Sequence, residues 1–340
     1  MDLVSIFSFS PWMFVSSFLV LFVLIWILTY AVEGLRAMES SSRADGSTVF
    51  LEDPSSLKKV LCPSIFDPPE KYISLIIPAY NEELRLPGTI DETLSYLQQR
   101  ASVDKSFSYE VVIVDDGSTD GTVKVAFDYV KKFSVDNVRV IRLGANYGKG
   151  AAIRKGMLHA RGEILLMLDA DGATKITDLG KLENQIKEYA EKEIIKESKI
   201  SSGSITKICN ISVAAFGSRA HLEKQAIATR KWYRNILMKG FHLCVLLVAG
   251  AGVKDTQCGF KMFTRAAARR LFINMRLKRW CFDVELVYLC KRINIPIIEI
   301  SVTWTEIPGS KVRMTSIIYM LLELVLVRLG YGLHIWKIHN

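Results

Sequence analysis

Two carboxylates, Asp169 and Asp171, close the apolar run that begins at Glu163, with Ala170 between them and Gly172 after them. While a chain stays extended, alternate side chains point the same way, so an Asp-x-Asp at a strand exit can offer oxygens to one hard cation such as Mg²⁺ or Mn²⁺. A plain turn also favours Asp and Gly, and the tripeptide alone does not decide between the two. Asp115 and Asp116, followed by Gly117 and Ser118, can accept from ribose hydroxyls or a base N–H, and Asn81 and Glu82 could serve the same ligand. The competing role for this second cluster is helix capping by Ser118, Thr119 and Asp120. In Gly144 to Gly150 the glycines permit close approach of backbone to a ligand, Lys149 can reach a phosphate, and a helix N-terminus is expected beside it. This loop is neither a Walker A motif, since its glycines are too close and Gly150 stands where Ser or Thr should follow Lys149, nor a dinucleotide fingerprint. A cation at Asp169 and Asp171 would find a natural third party in a diphosphate, whose charge it neutralises on departure. The chemistry expected is transfer from a nucleotide-diphosphate donor.

The elements that must position these clusters are short apolar runs: 73–77, 110–114, 138–141, 163–168 and 212–216. Helical patterns lie between the first four, at 88–100, 122–133 and 150–160, and a longer one follows at 177–197. Apolar strands alternating with helices predict a parallel sheet covered on both faces. Each of the first four runs leads directly into a polar cluster. Parallel strands bring such clusters to one edge of the sheet, where open α/β folds bind ligands.

Half of the 340 residues are apolar, and 44 Lys and Arg against 35 Asp and Glu leave a net charge of +9. That excess suits anionic partners, including nucleotides and lipid phosphates. No nucleic-acid motif accompanies it, so nucleic acid is not expected as a partner. The six cysteines show neither a C-x-x-C pair nor a zinc spacing and read as reduced thiols. No charged residue occurs from Leu3 to Val32, and the stretch from Pro11 has the length of a bilayer-spanning helix, with Trp12 and Tyr30 near its ends. A cleaved signal peptide fits less well, because Asp2 precedes the run and no Lys or Arg does. Arg36, Arg43, Lys58 and Lys59 on the far flank place the remainder of the chain in the cytoplasm. From Gly217 the chain turns basic and leads into the apolar stretch 241–248, either a membrane-surface helix or a buried one. Residues 314–338 are apolar but interrupted by Glu323, Arg328 and Lys337, which favours an interfacial helix or hairpin over a clean span.

The motifs Ile-Ile-Pro-Ala-Tyr-Asn-Glu-Glu, Val-Asp-Asp-Gly-Ser-Thr-Asp-Gly-Thr, Asn-Tyr-Gly-Lys-Gly-Ala-Ala and Asp-Ala-Asp-Gly, in this order, resemble family 2 glycosyltransferases of the GT-A fold. The N-terminal anchor, the stretch Asp255 to Lys261 and Phe282-Asp-Val-Glu285 resemble the eukaryotic branch of that family that glucosylates dolichyl phosphate. The resemblance runs from Ile73 to Lys311. It implies an α/β GT-A fold with a Rossmann-like, mostly parallel sheet, UDP-glucose as donor, dolichyl phosphate as acceptor, inversion at the anomeric carbon, and Mg²⁺ or Mn²⁺ as cofactor. Carried over by position, Pro78, Asn81, Glu82 and Asp116 would hold uridine and Asp169 and Asp171 the metal; Ala79, Asp115 and Lys149 stand beside them as further donor-site candidates.

A lipid phosphate acceptor is already anionic and needs cationic positioning more than a general base. Candidates are Arg219, Arg230, Arg234, Lys261, Ser310 and Lys311, of which two or three are expected to act. Asp255 is the carboxylate placed nearest the acceptor, with a loop-stabilising role equally open. Asp283 and Glu285 could touch the sugar, or could simply favour a helix N-terminus. The organisation expected is an anchor at 1–35, a linker at 36–70, a glycosyltransferase domain at 71–312 that includes a membrane-surface region at 219–253, and a membrane-associated segment at 313–340. The setting expected is the endoplasmic reticulum membrane, with a single pass and contact with membrane lipids; a homo-oligomer is compatible. The alternatives are a sister mannosyltransferase and a non-catalytic membrane adaptor that keeps the nucleotide-binding fold.

Overall fold

The computed structural model describes residues 32–38, 50–52, 59–200, 207–222, 232–307 and 314–339. The expected span from Pro11 lies outside them except for its last residue. Among the described residues, no helix is long and apolar enough to cross a membrane.

A short antiparallel pair, β1 (Phe50–Glu52) and β2 (Lys59–Leu61), precedes β3 (Lys71–Ala79), α1 (Leu86–Val103), β4 (Tyr109–Asp115), α2 (Thr122–Phe133), β5 (Val138–Arg142), α3 (Lys149–Leu158) and β6 (Gly162–Met167). Then follow α4 (Leu179–Ile200), β7 (Ala214–Ser218), α5 (Trp232–Ala249), β8 (Lys261–Thr264), α6 (Arg265–Phe272), α7 (Phe282–Arg292), β9 (Ile297–Ser301) and α8 (Met314–Gly332). The main sheet has seven strands in the order β5-β4-β3-β6-β8-β7-β9. Neighbours are parallel except where β8 runs antiparallel between β6 and β7.

Strand alternation sorts the core into two layers. Ile73, Leu75 and Ile77 of β3, with Val111 and Ile113 of β4, pack on one face with Leu86, Ile90 and Leu94 of α1 and Leu182 and Ile186 of α4. Ile76, Val112 and Val114 face the other way, toward Ala152, Ile153 and Met157 of α3 and the residues of α6 and α7. On that side α3 lies close to the sheet, because a Cβ at Gly156 would fall 2.5 Å from Ile76 Cγ2.

The segment expected as a linker is docked in part. Ile65 is buried, Arg265 donates to the carbonyls of Ser64 and Asp67, and Arg269 donates to Ile65 O; just before it, at the last residue of the expected anchor, Leu35 is buried and its carbonyl accepts from Trp336 Nε1. Backbone carbonyls, which composition does not reveal, are what hold it.

The helix that follows the Asp169 loop is fastened across the first layer by Glu183. Its carboxylate, 2% exposed, accepts from Arg100 and from the Tyr72 hydroxyl. Burial pushes this carboxyl up, but hydrogen bonds from Arg100, Lys187 and Tyr72 outweigh burial and bring it down to about 2 from 4.5. A depressed carboxylate contributes stability above its unfolded pKa, and that contribution is lost as pH falls through the folded value. The stability gap between wild type and Glu183→Gln should therefore narrow by about 3 kcal/mol as pH falls from 4.5 to 2. Denaturant melts across that range would show the narrowing; a gap constant with pH would contradict it.

Candidate active site

The ends of β3, β4 and β6 and the loop before α3 open onto a cleft of about 1000 Å³. Pro78, Ala79, Asn81, Glu82, Asp116, Lys149, Asp169, Asp171 and Arg219 all line it. The four polar clusters therefore meet at one place, as parallel strands require.

At its centre Lys149 Nζ stands 2.6 Å from Asp169 Oδ1, both side chains being a quarter to a third exposed. Burial pushes the Asp169 carboxyl up, but the Lys149 charge, with Lys261 and Arg219 behind it, outweighs burial and holds the carboxyl low. Lys149 is pulled down by burial and raised by Asp169 and Asp283, with a net upward shift. The other side of Asp169 is closed by backbone, since a Cβ on Gly259 would lie 2.0 Å from Asp169 Oδ2. Asp171 Oδ1 accepts from Ala173 N, and Gly172, at φ +72°, turns the chain away. Beyond it, Lys175 N donates to Thr303 O and Thr305 N to Ala173 O, which brings Trp304 to the cleft wall.

Among the described residues no group of three or more His, Cys, Asp or Glu is placed to hold a metal alone. The pair Asp169 and Asp171 nevertheless fits a hard cation shared with a diphosphate, because Mg²⁺ and Mn²⁺ sites commonly take one or two carboxylates plus phosphate oxygens and water. Asp169 Oδ1, buried, has no hydrogen-bond donor of good geometry beyond its charge contact with Lys149.

The donor-side carboxylates also tie the loops together. Asp116 accepts from Tyr147 N and Gly148 N, both at 2.8 Å, and so pins the glycine-rich loop to the end of β4. Burial raises its carboxyl despite these two bonds and the Arg279 charge. Asn81, at φ +51°, accepts from Thr119 N through its side chain, and its own N–H donates to Ser118 Oγ. Glu82 clamps Arg85 through both carboxylate oxygens, and Asp115 Oδ1 accepts from Ser118 N. Capping and ligand roles divide here: Asp120 and Glu83 receive the N–H groups of Thr122 and Gly121 at the start of α2.

One expectation fails at α3. The second and third N–H groups of this helix are not open to a ligand, because Gly150 N donates to Arg279 O and Ala151 N to Lys278 O. Backbone from the loop before α7 has taken the place of an anion.

The basic and sugar-side candidates separate. Arg219 lies in the cleft wall with its guanidinium forked onto Asp255 at 2.7 and 2.9 Å and set 5.3 Å from the centre of the Trp304 ring. Asp255 thus holds an arginine and, through Gln257 N, its own loop. Lys261 is fully buried, ion-paired to Asp283 at 2.5 Å and bonded to Cys258 O, so it does not reach the cleft. Asp283 and Glu285 are buried in the first turn of α7, which corrects their expected contact with sugar. Glu285 accepts from Arg276 N, Leu277 N and the Tyr331 hydroxyl, and burial pushes its carboxyl up to about 7. Arg230, Ser310, Lys311 and the Arg234 side chain lie outside the described residues. Arg85, Arg279, Trp304 and Glu306 line the cleft without having been singled out. Only Arg85 had a local signal, three residues after Glu82.

Beside the cleft, α5 and α8 pack together and turn apolar side chains outward. Leu243 and Leu247 of α5, with Ile318, Tyr319, Leu322 and Val325 of α8, are all more than half exposed. Ser316, in the first turn of α8, lines the cleft itself.

Residues 74–195 match the sequence model of glycosyl transferase family 2. The dolichyl-phosphate β-glucosyltransferase of Homo sapiens is 48% identical over 284 residues, covering 83% of each chain. That of Drosophila melanogaster is 47% identical over 287 residues, covering 84% of this chain and 83% of its own. Among solved structures, glucosyl-3-phosphoglycerate synthase from Mycobacterium tuberculosis in complex with UDP is 16% identical, with a TM-score of 0.47 over 77% of this chain and 81% of that one. A family 2 domain carrying the four strand-end motifs, and relatives matched at close to half identity over most of their length, establish that the chain belongs to the dolichyl-phosphate β-glucosyltransferases of glycosyl transferase family 2.

Proposed function

We propose that this chain transfers glucose from UDP-glucose to dolichyl phosphate with inversion, giving dolichyl β-glucosyl phosphate. The observation that carries this reading is the cleft itself: Lys149 and Asp169 lie at its centre, and it opens beside the outward apolar face of α5 and α8.

The donor half is built from charge and backbone. Asn81, Glu82 and Asp116 form the polar wall for uridine, Asp115 lies buried behind them and holds Ser118 N, and Lys149 is the cation placed to meet a diphosphate. Asp169 and Asp171 would hold Mg²⁺ or Mn²⁺, which when bound neutralises charge on the leaving UDP. Asp169 also keeps Lys149 protonated and oriented, so the ammonium faces the cleft as a fixed positive charge.

The acceptor half needs an oxygen nucleophile and a way to hold it. A dolichyl phosphate oxygen attacks the anomeric carbon from the face opposite UDP. The C1–O bond to UDP breaks, and its electron pair leaves with the diphosphate. The phosphate enters as an anion, so no residue has to remove a proton. Arg219, fixed by Asp255 and Trp304, is a cleft-lining cation suited to hold that phosphate, and Arg230, Arg234, Ser310 and Lys311 are further candidates for the same task. The isoprenoid would lie along the apolar face of α5 and α8, whose outward side chains suit membrane lipid. We further propose a cytoplasmic-facing site on the endoplasmic reticulum membrane with the segment 1–35 as anchor.

Purified chain in detergent with Mn²⁺, dolichyl phosphate and a panel of radiolabelled nucleotide sugars should label lipid from UDP-glucose alone. Label from GDP-mannose would assign the sister mannosyltransferase activity. Asp171→Asn should lower kcat on the order of 100-fold while the melting temperature stays within experimental scatter; an adaptor would lose nothing. Gly259→Ala should also lower kcat on the order of 100-fold, because its Cβ would drive Asp169 off Lys149. Wild-type turnover in that variant would show that the close approach has no catalytic consequence.

A further inference from the structure

Glu323 is the one acidic residue of α8, and it points inward at 9% exposure while its neighbours Leu322 and Val325 point out. Its Oε2 accepts from Trp280 N at 3.2 Å and Cys281 N at 2.8 Å. Cys281 is the N-cap of α7 and its side chain makes no cap bond; Glu323 of α8 accepts the N-cap N–H instead, adding to the acidic Asp283 and Glu285 already in the first turn. Burial pushes the Glu323 carboxyl up. Inserting a carboxylate among apolar residues is costly, and a leucine there would seat the helix more cheaply.

What the carboxylate holds is the loop 277–281. On its other side, Lys278 O and Arg279 O accept the second and third N–H groups of α3, and a Cβ on Gly148 or Gly150 would collide with the carbonyls of Lys278 and Leu277 at 2.5 and 2.7 Å. The loop is thus clasped between α8 and the N-terminus of the helix that carries Lys149. Arg279 and Trp280 project from it into the cleft, and Arg279 lies near enough to Asp116 to draw its carboxyl downward. Glu285 and Tyr331 extend the same clasp at the loop's start.

We propose that Glu323 is a positioning residue for the donor: it fixes the loop 277–281 from the apolar helix, and so sets Arg279 against the uridine wall and the start of α3 under Lys149. The inference rests on the glucosyltransferase reading and deepens its donor site.

Steady-state kinetics of the full chain in detergent test it. Glu323→Ala should raise the KM for UDP-glucose about tenfold and leave the KM for dolichyl phosphate within about twofold. Glu323→Gln, which keeps one acceptor oxygen and the side-chain shape, should raise the donor KM by a smaller factor of about three, and it decides the matter if the alanine variant loses its melting transition. Arg279→Ala should also raise the donor KM, and adding Glu323→Gln to it should worsen that KM by less than about twofold, since both act through one loop. Unchanged donor KM in folded Glu323→Gln, equal rises for both substrates, or full additivity with Arg279→Ala would overturn the inference. Wild type that fails to use UDP-glucose would instead overturn the functional reading beneath it.

Discussion

The cleft depends on one ion pair whose position is over-determined. Lys149 comes from the first turn of α3 and Asp169 from the exit of β6, and the two meet at 2.6 Å where Gly259, lacking a Cβ, leaves room for the carboxylate. In a partly desolvated cleft such a pair is worth far more than on a wet surface, and leaving either charge alone would be expensive. A second pair, Lys261 with Asp283, lies wholly buried behind it and acts electrostatically on both members. Charges therefore alternate from the interior to the cleft, and the outermost pair faces the substrate space.

Around this pair the molecule divides its labour by direction. The carboxyl edge of the sheet, with its loops cross-linked by Asp116 and Asn81, makes a rigid donor wall. The packed helices α5 and α8 make the opposite border, and their exposed leucines suit a lipid surface. Lys291 fastens α5 to α7 by donating to the carbonyls of Ala249 and Ala251. Apolar helices and polar site thus share the loop before α7, where two of its amide groups meet the single carboxylate of α8, Glu323.

Much of the donor side was legible in the sequence, because a parallel strand announces itself as a continuous apolar run and its loop follows at once. Runs at 73–77, 110–114, 138–141 and 163–168 became β3, β4, β5 and β6 with ends moved by at most two residues. The acceptor side was harder to read. β8 is four residues long and carries a lysine that charge alone marks as surface; its partner Asp283 stands 22 residues away, so its burial is a tertiary fact. β9, half-buried along most of its length, shows no clean alternation, and Trp304 beyond its end went unnoticed with it. The pairing of Asp255 with Arg219 likewise joins two motifs that the sequence presents as separate candidates. Where charged residues answer one another across the fold, local pattern carries no signal.

The most direct measurement is a Mn²⁺ titration followed by electron paramagnetic resonance, with and without UDP, on wild type and Asp171→Asn. The account predicts one Mn²⁺ per wild-type chain, bound much more tightly with UDP present, and loss of that UDP-dependent binding in the folded variant. Mn²⁺ binding that ignores UDP, or that survives Asp171→Asn unchanged, would contradict a donor site built on these two carboxylates.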